Sequence, residues 1–256
     1  MFDRETLLAA HDHRHVRLDG ALNVRDLGGL ATFDGKLTRH GVLFRADTLA
    51  HLTAADQVRL GALGLTTVVD LRTDEERVRA PDRLPEGPAP VVQALGFLPR
   101  GNVEMFSAIN AGRLDAEDAV QAMMAQYRNL ALEHHDRYQA FVETLLGPGS
   151  RPLLFHCASG KDRTGIAAAI VLLALDVPRA TVLEDYAISN FQRRPIDLFT
   201  AGASAPAVEQ VMAANPRYLE AAFKAMEEAS GSIQAYLAEL GLDSEARRYL
   251  RALLVA

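Results

Sequence analysis

The sequence predicts an α/β fold: a central, mostly parallel sheet flanked by helices, with a helical cap inserted near the middle of the chain. Three observations carry this. Short β-branched runs alternate with longer stretches of helical periodicity, the pattern of strands covered on both faces. Two of those runs, TTVVD and LLFHC, end on reactive side chains, Asp70 and Cys157, as strands do at the ligand-binding edge of a parallel sheet. The longest apolar run, Ile166 to Leu175, has about half the length that a bilayer requires and so reads as a buried helix.

With 256 residues, 49% of them hydrophobic, the chain can bury a full core as one domain over 1–256. Residues 1–15 suggest a short helical or frayed start. Between 16 and 46, VRL, LNVRDL and VLFRA are short strand candidates broken by glycines. Thr53 is placed to cap a helix reaching Gly61, with Asp56 in its first turn. LTTVVDL is a buried strand candidate ending at Asp70, and TDEERVRAP begins a helix halted by Pro81. Residues 81–99 hold five of the eleven prolines, so they read as loop around one strand, VVQALGF. Helical periodicity follows over 115–146, and the cap is expected at about 100–146. RPLLFHC is then a strand, TGIAAAIVLLAL a helix, and 179–256 helical with breaks near Pro195, Pro216, Gly231 and Gly241.

The net charge is −6. No basic face or basic run suggests a nucleic-acid partner or a stable membrane association. A single cysteine rules out an internal disulfide and fits a reducing compartment. The opening MFDRETLLAAHDHRH lacks the apolar core of a signal peptide. The default is therefore the cytoplasm, with export lacking such a signal left open.

The chemistry concentrates in HCASGKDRTG, residues 156–165. A strand feeds this loop and a helix leaves it, so backbone N–H groups and the helix N-terminus converge as an oxyanion cradle. Ala158, Ser159, Gly160, Lys161, Asp162, Arg163 and Thr164 form that cradle, with Arg163 adding a planar fork for two phosphate oxygens. Such a field favours the thiolate of Cys157, the form that attacks phosphorus. Thr164 is placed to hydrogen-bond the sulfur as it departs. A lone cysteine is commonly just a small buried hydrophobe. Here the preceding strand, the glycine, Arg-Thr-Gly and the following helix argue against that. A nucleotide-binding P-loop needs glycine where Phe155 stands, and Ser or Thr where Asp162 stands.

HCASGKDRTG resembles the signature of the cysteine-dependent tyrosine phosphatases. More narrowly it is similar to a bacterial group, typified by mycobacterial and Listeria enzymes, whose loop reads HCxAGKDRTG; Ser159 replaces the usual alanine. NVRDLGG (23–29), FRADTLAHLT (44–53), VVDLRTDEE (68–76), DYAISN (185–190) and GSIQAYLAELGL (231–242) also fit that group, with 100–135 the least matched stretch. The resemblance implies a tyrosine-phosphatase-like fold, hydrolysis of phosphotyrosine, and in some members activity on phosphoserine, phosphothreonine or phosphoinositides. The expected partner is thus a phosphorylated protein or a phosphoinositide. No metal and no other cofactor is implied. A catalytically idle phosphate-binding module is the alternative from another class, and a mainly phosphoinositide-directed phosphatase the alternative within the class.

The reaction expected runs through a phosphocysteine, with a carboxylic acid protonating the leaving oxygen. Asp162, inside the loop, and Asp70, at the end of another strand, compete for that role on residues alone; the resemblance favours Asp162 and leaves Asp70 as a helper. Lys161 reads either as a contact for an extra substrate phosphate or as a solvated loop lysine. His156 reads as buried and hydrogen-bonded. His11, His13 and His15 alternate but suggest a solvated terminus rather than a metal site. His134 and His135 read as surface positions. Arg25 and Asp26 are expected to hold the sheet edge near the loop. Met105, Phe106, Met123, Met124 and Tyr127 are candidates to line a cap.

Overall fold

The computed structural model describes residues 4–87, 89–194 and 198–256. Five strands among them form one sheet: β1 (Arg25–Asp26), β2 (Leu43–Ala46), β3 (Thr67–Asp70), β4 (Val91–Ala94) and β5 (Leu153–His156), in the order β1-β2-β5-β3-β4. Only the β1–β2 pair is antiparallel; the other three are parallel. The registers align Ala46, His156 and Asp70 across the three inner strands. The residues that follow them therefore leave the sheet side by side at one carboxyl edge, where parallel sheets bind ligands.

The inner strands are buried on both faces, and their side chains alternate between two cores. Leu43, Val69, Leu153, Phe155 and Cys157 face the larger core. Phe44, Ala46, Val68 and Leu154 face the smaller one, with Leu18, Leu49 and Leu60. Cys157 and His156 thus point to opposite sides of the sheet.

Helices follow their sequence signals. In α1 (Arg4–His11) the start is helical, and a tight turn follows at Asp12–Arg14. Thr53 caps α2 (Ala54–Gly61) and Thr73 caps α3 (Asp74–Arg79), each in a reciprocal capping box, with Asp56 and Glu76 respectively. The stretch expected to be helical over 115–146 is two helices, α5 (Ala116–Glu133) and α6 (His135–Leu146), after a short α4 (Asn102–Asn110). The break comes at His134, whose ring lies 4.4 Å from that of Phe97. His135 stands 5.8 Å from Tyr236. Both histidines are half-buried ring contacts rather than the surface positions expected.

The apolar run is α7 (Asp162–Ala174), buried almost all round, as a helix hydrophobic on every face must be. Beyond it come α8 (Arg179–Ala187), α9 (Ala205–Met212), α10 (Pro216–Ser230), α11 (Ile233–Glu239) and α12 (Ser244–Leu254). Pro216 is the first residue of α10, behind an Asn215 cap, where a proline's missing N–H costs nothing. The break expected near Pro195 lies outside the described residues. No helix among them is long and apolar enough to cross a membrane.

Candidate active site

Cys157 leaves β5 at the carboxyl edge and is 1% exposed. The loop from Cys157 to Lys161 turns directly into α7. The carbonyls of its first four residues are anchored behind it. The Cys157 carbonyl meets His156 Nδ1 at 3.2 Å, and that of Ala158 accepts from the Thr48 N–H. Those of Ser159 and Gly160 accept from Asn23 Nδ2 at 3.2 Å each, and Gly160 also takes Arg45 Nη2 at 2.7 Å. A peptide's N–H opposes its C=O, so anchoring the carbonyls behind the loop turns the amides forward. Among the described residues no acceptor takes the N–H of Ala158, Ser159, Gly160, Lys161, Asp162 or Arg163. A row of unpaired donors at the start of a helix is an arrangement suited to binding an anion. Gly160 is required by two constraints: its φ is +66°, and a Cβ there would stand 2.5 Å from the Ala46 carbonyl oxygen.

Behind the loop lies a buried charge cluster whose members are far apart in sequence. Asp185 on α8 receives Arg14 at 2.9 Å, Arg25 at 3.0 Å and Arg45 at 2.7 Å, all essentially buried. Burial raises the Asp185 carboxyl, but Arg25, Arg14 and Arg45 outweigh it and hold the group far below the usual carboxylate range. Burial, followed by the neighbouring Arg45, pushes Arg25 down to about 9. Arg25 therefore braces the loop through Asp185 and Asn23, as expected of it, while Asp26 receives the N–H of Gly28 and Gly41. The histidine-rich start is not a frayed terminus: Arg14, within it, is 1% exposed.

Arg163 is fixed by its end-on edge. Nη1 and Nη2 bind Glu76 at 2.6 and 2.7 Å, and Nη1 also donates to the carbonyls of Leu71 and Phe97. Burial alone would lower the guanidinium's pKa; the bond to Glu76 and the neighbouring Cys157 raise it instead. The side-on edge, Nε–H and the second Nη2 proton, takes no acceptor among the described residues, so a bidentate fork is left for two phosphate oxygens. Phe97 can reach because Gly96 lets the chain pass against Arg72, whose carbonyl oxygen a Cβ would meet at 1.8 Å.

Asp162 Oδ1 accepts from Tyr127 Oη at 2.7 Å and stands 3.2 Å from Lys161 Nζ; nothing among the described residues donates to Oδ2. Tyr127 is in turn 2.5 Å from the Tyr186 hydroxyl. Lys161 is not a solvated loop lysine. It is 7% exposed, and its ammonium donates to the carbonyls of Val211 at 2.7 Å and Ala213 at 3.1 Å. Thr164 is fully buried, and its hydroxyl has no hydrogen-bond partner among the described residues, the Cys157 sulfur included.

Asp70 stands apart from this group. It faces the smaller core, where Arg72 binds both its oxygens, at 3.0 and 2.7 Å. Asp70, Asp82 and His156 come close enough to suggest a metal cluster, but Arg72 Nη2 already lies 2.7 and 2.8 Å from the two carboxylates. A cation of the chain's own fills the place.

A cavity of about 370 Å³ opens over the loop. Ala158, Ser159, Lys161, Asp162 and Arg163 form its floor, and Asp70 does not reach it. The walls are largely apolar: Leu98, Pro99, Met105 and Phe106 from the α4 region, Met123 from α5, and Leu198. Asp47 also lines it; this carboxyl is raised by burial and takes the N–H groups of Leu22 and Asn23 through Oδ1.

Sequence reasoning found the loop but gave no role to Glu76, Asn23, Arg14, Arg45, Asp47, Asp82 or Asp185. Asn23, Arg45, Asp47, Glu76 and Asp185 lie in segments that resemble the family's, and Glu76 also had a local signal, the Thr73-x-x-Glu capping box.

A buried cysteine at the head of a loop of free amides, whose charge bears on the Arg163 guanidinium, on the carboxyl edge of a parallel sheet, fits the class of cysteine-dependent phosphatases. Comparison with known proteins agrees. Residues 16–256 match the model of the tyrosine phosphatase family. A protein of Cupriavidus necator named "Putative tyrosine-protein phosphatase H16_A0669" is 33% identical over 238 residues, covering 88% of this chain and 83% of that one. The triple specificity protein phosphatase PtpB of Mycobacterium tuberculosis is 30% identical over 275 residues, covering 93% and 98%. A tyrosine-protein phosphatase of Nostoc commune is 29% identical over 57% of this chain and 47% of its own. The chain belongs to the tyrosine phosphatase family.

Proposed function

We propose that the chain hydrolyses aryl phosphate monoesters, phosphotyrosine in proteins first among them, with Cys157 as nucleophile, Arg163 as phosphate clamp and Asp162 as general acid. The carrying observation is the loop whose carbonyls from Cys157 to Gly160 are anchored behind it and whose six amides take no acceptor among the described residues. In the first step the Cys157 sulfur attacks phosphorus, the ester P–O bond breaks, and Asp162 gives its proton to the leaving oxygen. In the second, water attacks phosphorus, the S–P bond breaks, and Asp162 takes the proton back. The amides and the free edge of Arg163 meet the charge on the equatorial oxygens throughout. Asp162 is favoured over Asp70 because its Oδ2 is unengaged at the cavity, whereas Asp70 is bound to Arg72 outside it.

The apolar wall of Leu98, Met105, Phe106 and Met123 suits a flat ring next to the phosphate. On this reading α4 to α6 form the cap. Phosphoserine and phosphoinositide esters are the secondary substrates; a specificity wider than one ester is in line with the words "triple specificity" in the name of PtpB. A nucleophilic thiol works best where it stays reduced, which favours the cytoplasm. Hydrolysis of p-nitrophenyl phosphate, abolished by Cys157→Ser and by vanadate, tests the proposal. A variant panel of phosphotyrosine peptides, phosphoserine peptides and phosphoinositides ranks the substrates. Vanadate binding without turnover by the wild-type chain would leave only an idle binding module.

A further inference from the structure

We propose that Asp82, a carboxylate outside the cavity and outside every motif of the loop, is a positioning residue of the reaction: it holds His156 as an imidazolium directly beneath the nucleophile's peptide. The proposal rests on Cys157 being the nucleophile and adds a part to that machinery. Both ring nitrogens of His156 face oxygens that can only accept. Nδ1 is 3.2 Å from the Cys157 carbonyl. Nε2 makes no hydrogen bond among the described residues, but lies at ion-pair distance from two carboxylates, 3.1 Å from Asp82 Oδ2 and 3.8 Å from Asp70 Oδ1. A neutral ring has one N–H, so either tautomer would set a lone pair against an oxygen; only the doubly protonated ring suits both sides.

Charge counting leads to the same state. The groups facing the ring are Asp70 from β3, Asp82 from the segment between α3 and β4, and Arg72, which binds both carboxylates. Two carboxylates against one guanidinium leave a buried negative charge, and burying an unbalanced charge is costly. The imidazolium brings the cluster to neutrality. Burial lowers the His156 pKa, but Asp82 and then Asp70 raise it above 6.5, and His156 and Arg72 hold Asp82 down against its own burial. His156 is fully buried, and the Asp82 side chain is only 10% exposed, so salt screens the pair little.

The consequence reaches the sulfur in two ways. The Nδ1–H bond fixes the first carbonyl of the loop, which sets the plane of the amide that follows. The imidazolium also places a positive charge one residue from Cys157, on the opposite side of the sheet from Arg163. Asp82 never touches substrate; it acts through His156.

Two measurements test this. In wild-type protein labelled with 15N-histidine, His156 should show both ring nitrogens protonated at about pH 7; a neutral tautomer there overturns the proposal and requires no variant. In Asp82→Asn, the midpoint of the pH dependence of Cys157 alkylation by iodoacetamide should rise by about one unit, the scale expected on losing a nearby charge, and Asp82→Glu should restore it. An unmoved midpoint in folded Asp82→Asn also overturns it. Should that variant not fold, the nitrogen spectrum decides. Turnover of p-nitrophenyl phosphate by the wild type, lost in Cys157→Ser, separates failure of this proposal from failure of the nucleophile assignment.

Discussion

Replacing Glu76 with glutamine tests how the phosphate clamp is held. In the wild type, Oε1 accepts from Arg163 Nη2 at 2.7 Å, while Oε2 accepts from Nη1 at 2.6 Å and from the Thr73 N–H at 2.7 Å. Glutamine keeps one oxygen, enough for the helix cap and one arm of the guanidinium, but sets an NH2 against the other arm. One charge-assisted bond and one formal charge are lost. A hydrogen bond to a charged group is worth about 1.5–3 kcal/mol. Because the Glu76 side chain is 30% exposed, the lower half of that range applies. About 1.5–2 kcal/mol lost from Arg163's hold on the transition state is a fall of roughly 10- to 30-fold in kcat/KM. Steady-state turnover of p-nitrophenyl phosphate, vanadate affinity and Tm should be measured together, the last to show that the fold survives. Less than a threefold fall in a variant that still unfolds cooperatively would refute the claim that Glu76 aims Arg163. The linkage has a definite sign. Burial raises Glu76, and Arg163 outweighs it, so the folded pKa lies below 4.5. This contribution is present above the unfolded value and is lost as pH falls through the folded one. The Tm gap between wild type and Glu76→Gln should therefore narrow on acidification below about pH 4.5.

Other substitutions probe the remaining supports. Tyr127→Phe removes the donor to Asp162 Oδ1; kcat on a poor leaving group should fall about 5- to 10-fold, the worth of about one hydrogen bond, while an ester with a good leaving group changes little. Equal losses on both would take Tyr127 out of the proton-transfer step. Gly160→Ala sets a Cβ against the Ala46 carbonyl at 2.5 Å in a left-handed conformation, with no flexible side chain to yield. Activity should drop more than about 100-fold, and near-normal turnover would contradict the described loop. Asp185→Asn leaves three buried arginines around a neutral amide and should cost about 3–5 kcal/mol in chemical denaturation. A loss under about 1 kcal/mol would mean that the cluster contributes no more than a surface ion pair.

How much of this could be read from the sequence divides along chain distance. The strand, loop and helix around Cys157 are contiguous, so spacing and residue type were enough to place the cradle, Arg163 and Asp162. Thr53 and Thr73 announced their helices for the same local reason. What holds the loop in shape is non-local. Asp185 meets Arg14 across 171 residues and Arg45 across 140, and no periodicity links them. DYAISN and FRAD were noticed only as motifs resembling a family's, without a job. Lys161 shows the same limit in the other direction: its neighbours in the loop suggested solvent or substrate, but the carbonyls that bind it belong to the end of α9, some fifty residues on. The helical stretch expected over 115–146 is there, but it breaks into two at His134, where the ring packs on Phe97, 37 positions upstream.

The bracing of the loop by Asp185 has a consequence for how activity first arises. A chain emerging from the ribosome exposes its thiol some thirty residues before the aspartate that Arg14, Arg25 and Arg45 need. Until α8 has been made and docked, Arg14, Arg25 and Arg45 lack the anion they share. The loop is therefore fully braced only once segments 171 residues apart have met.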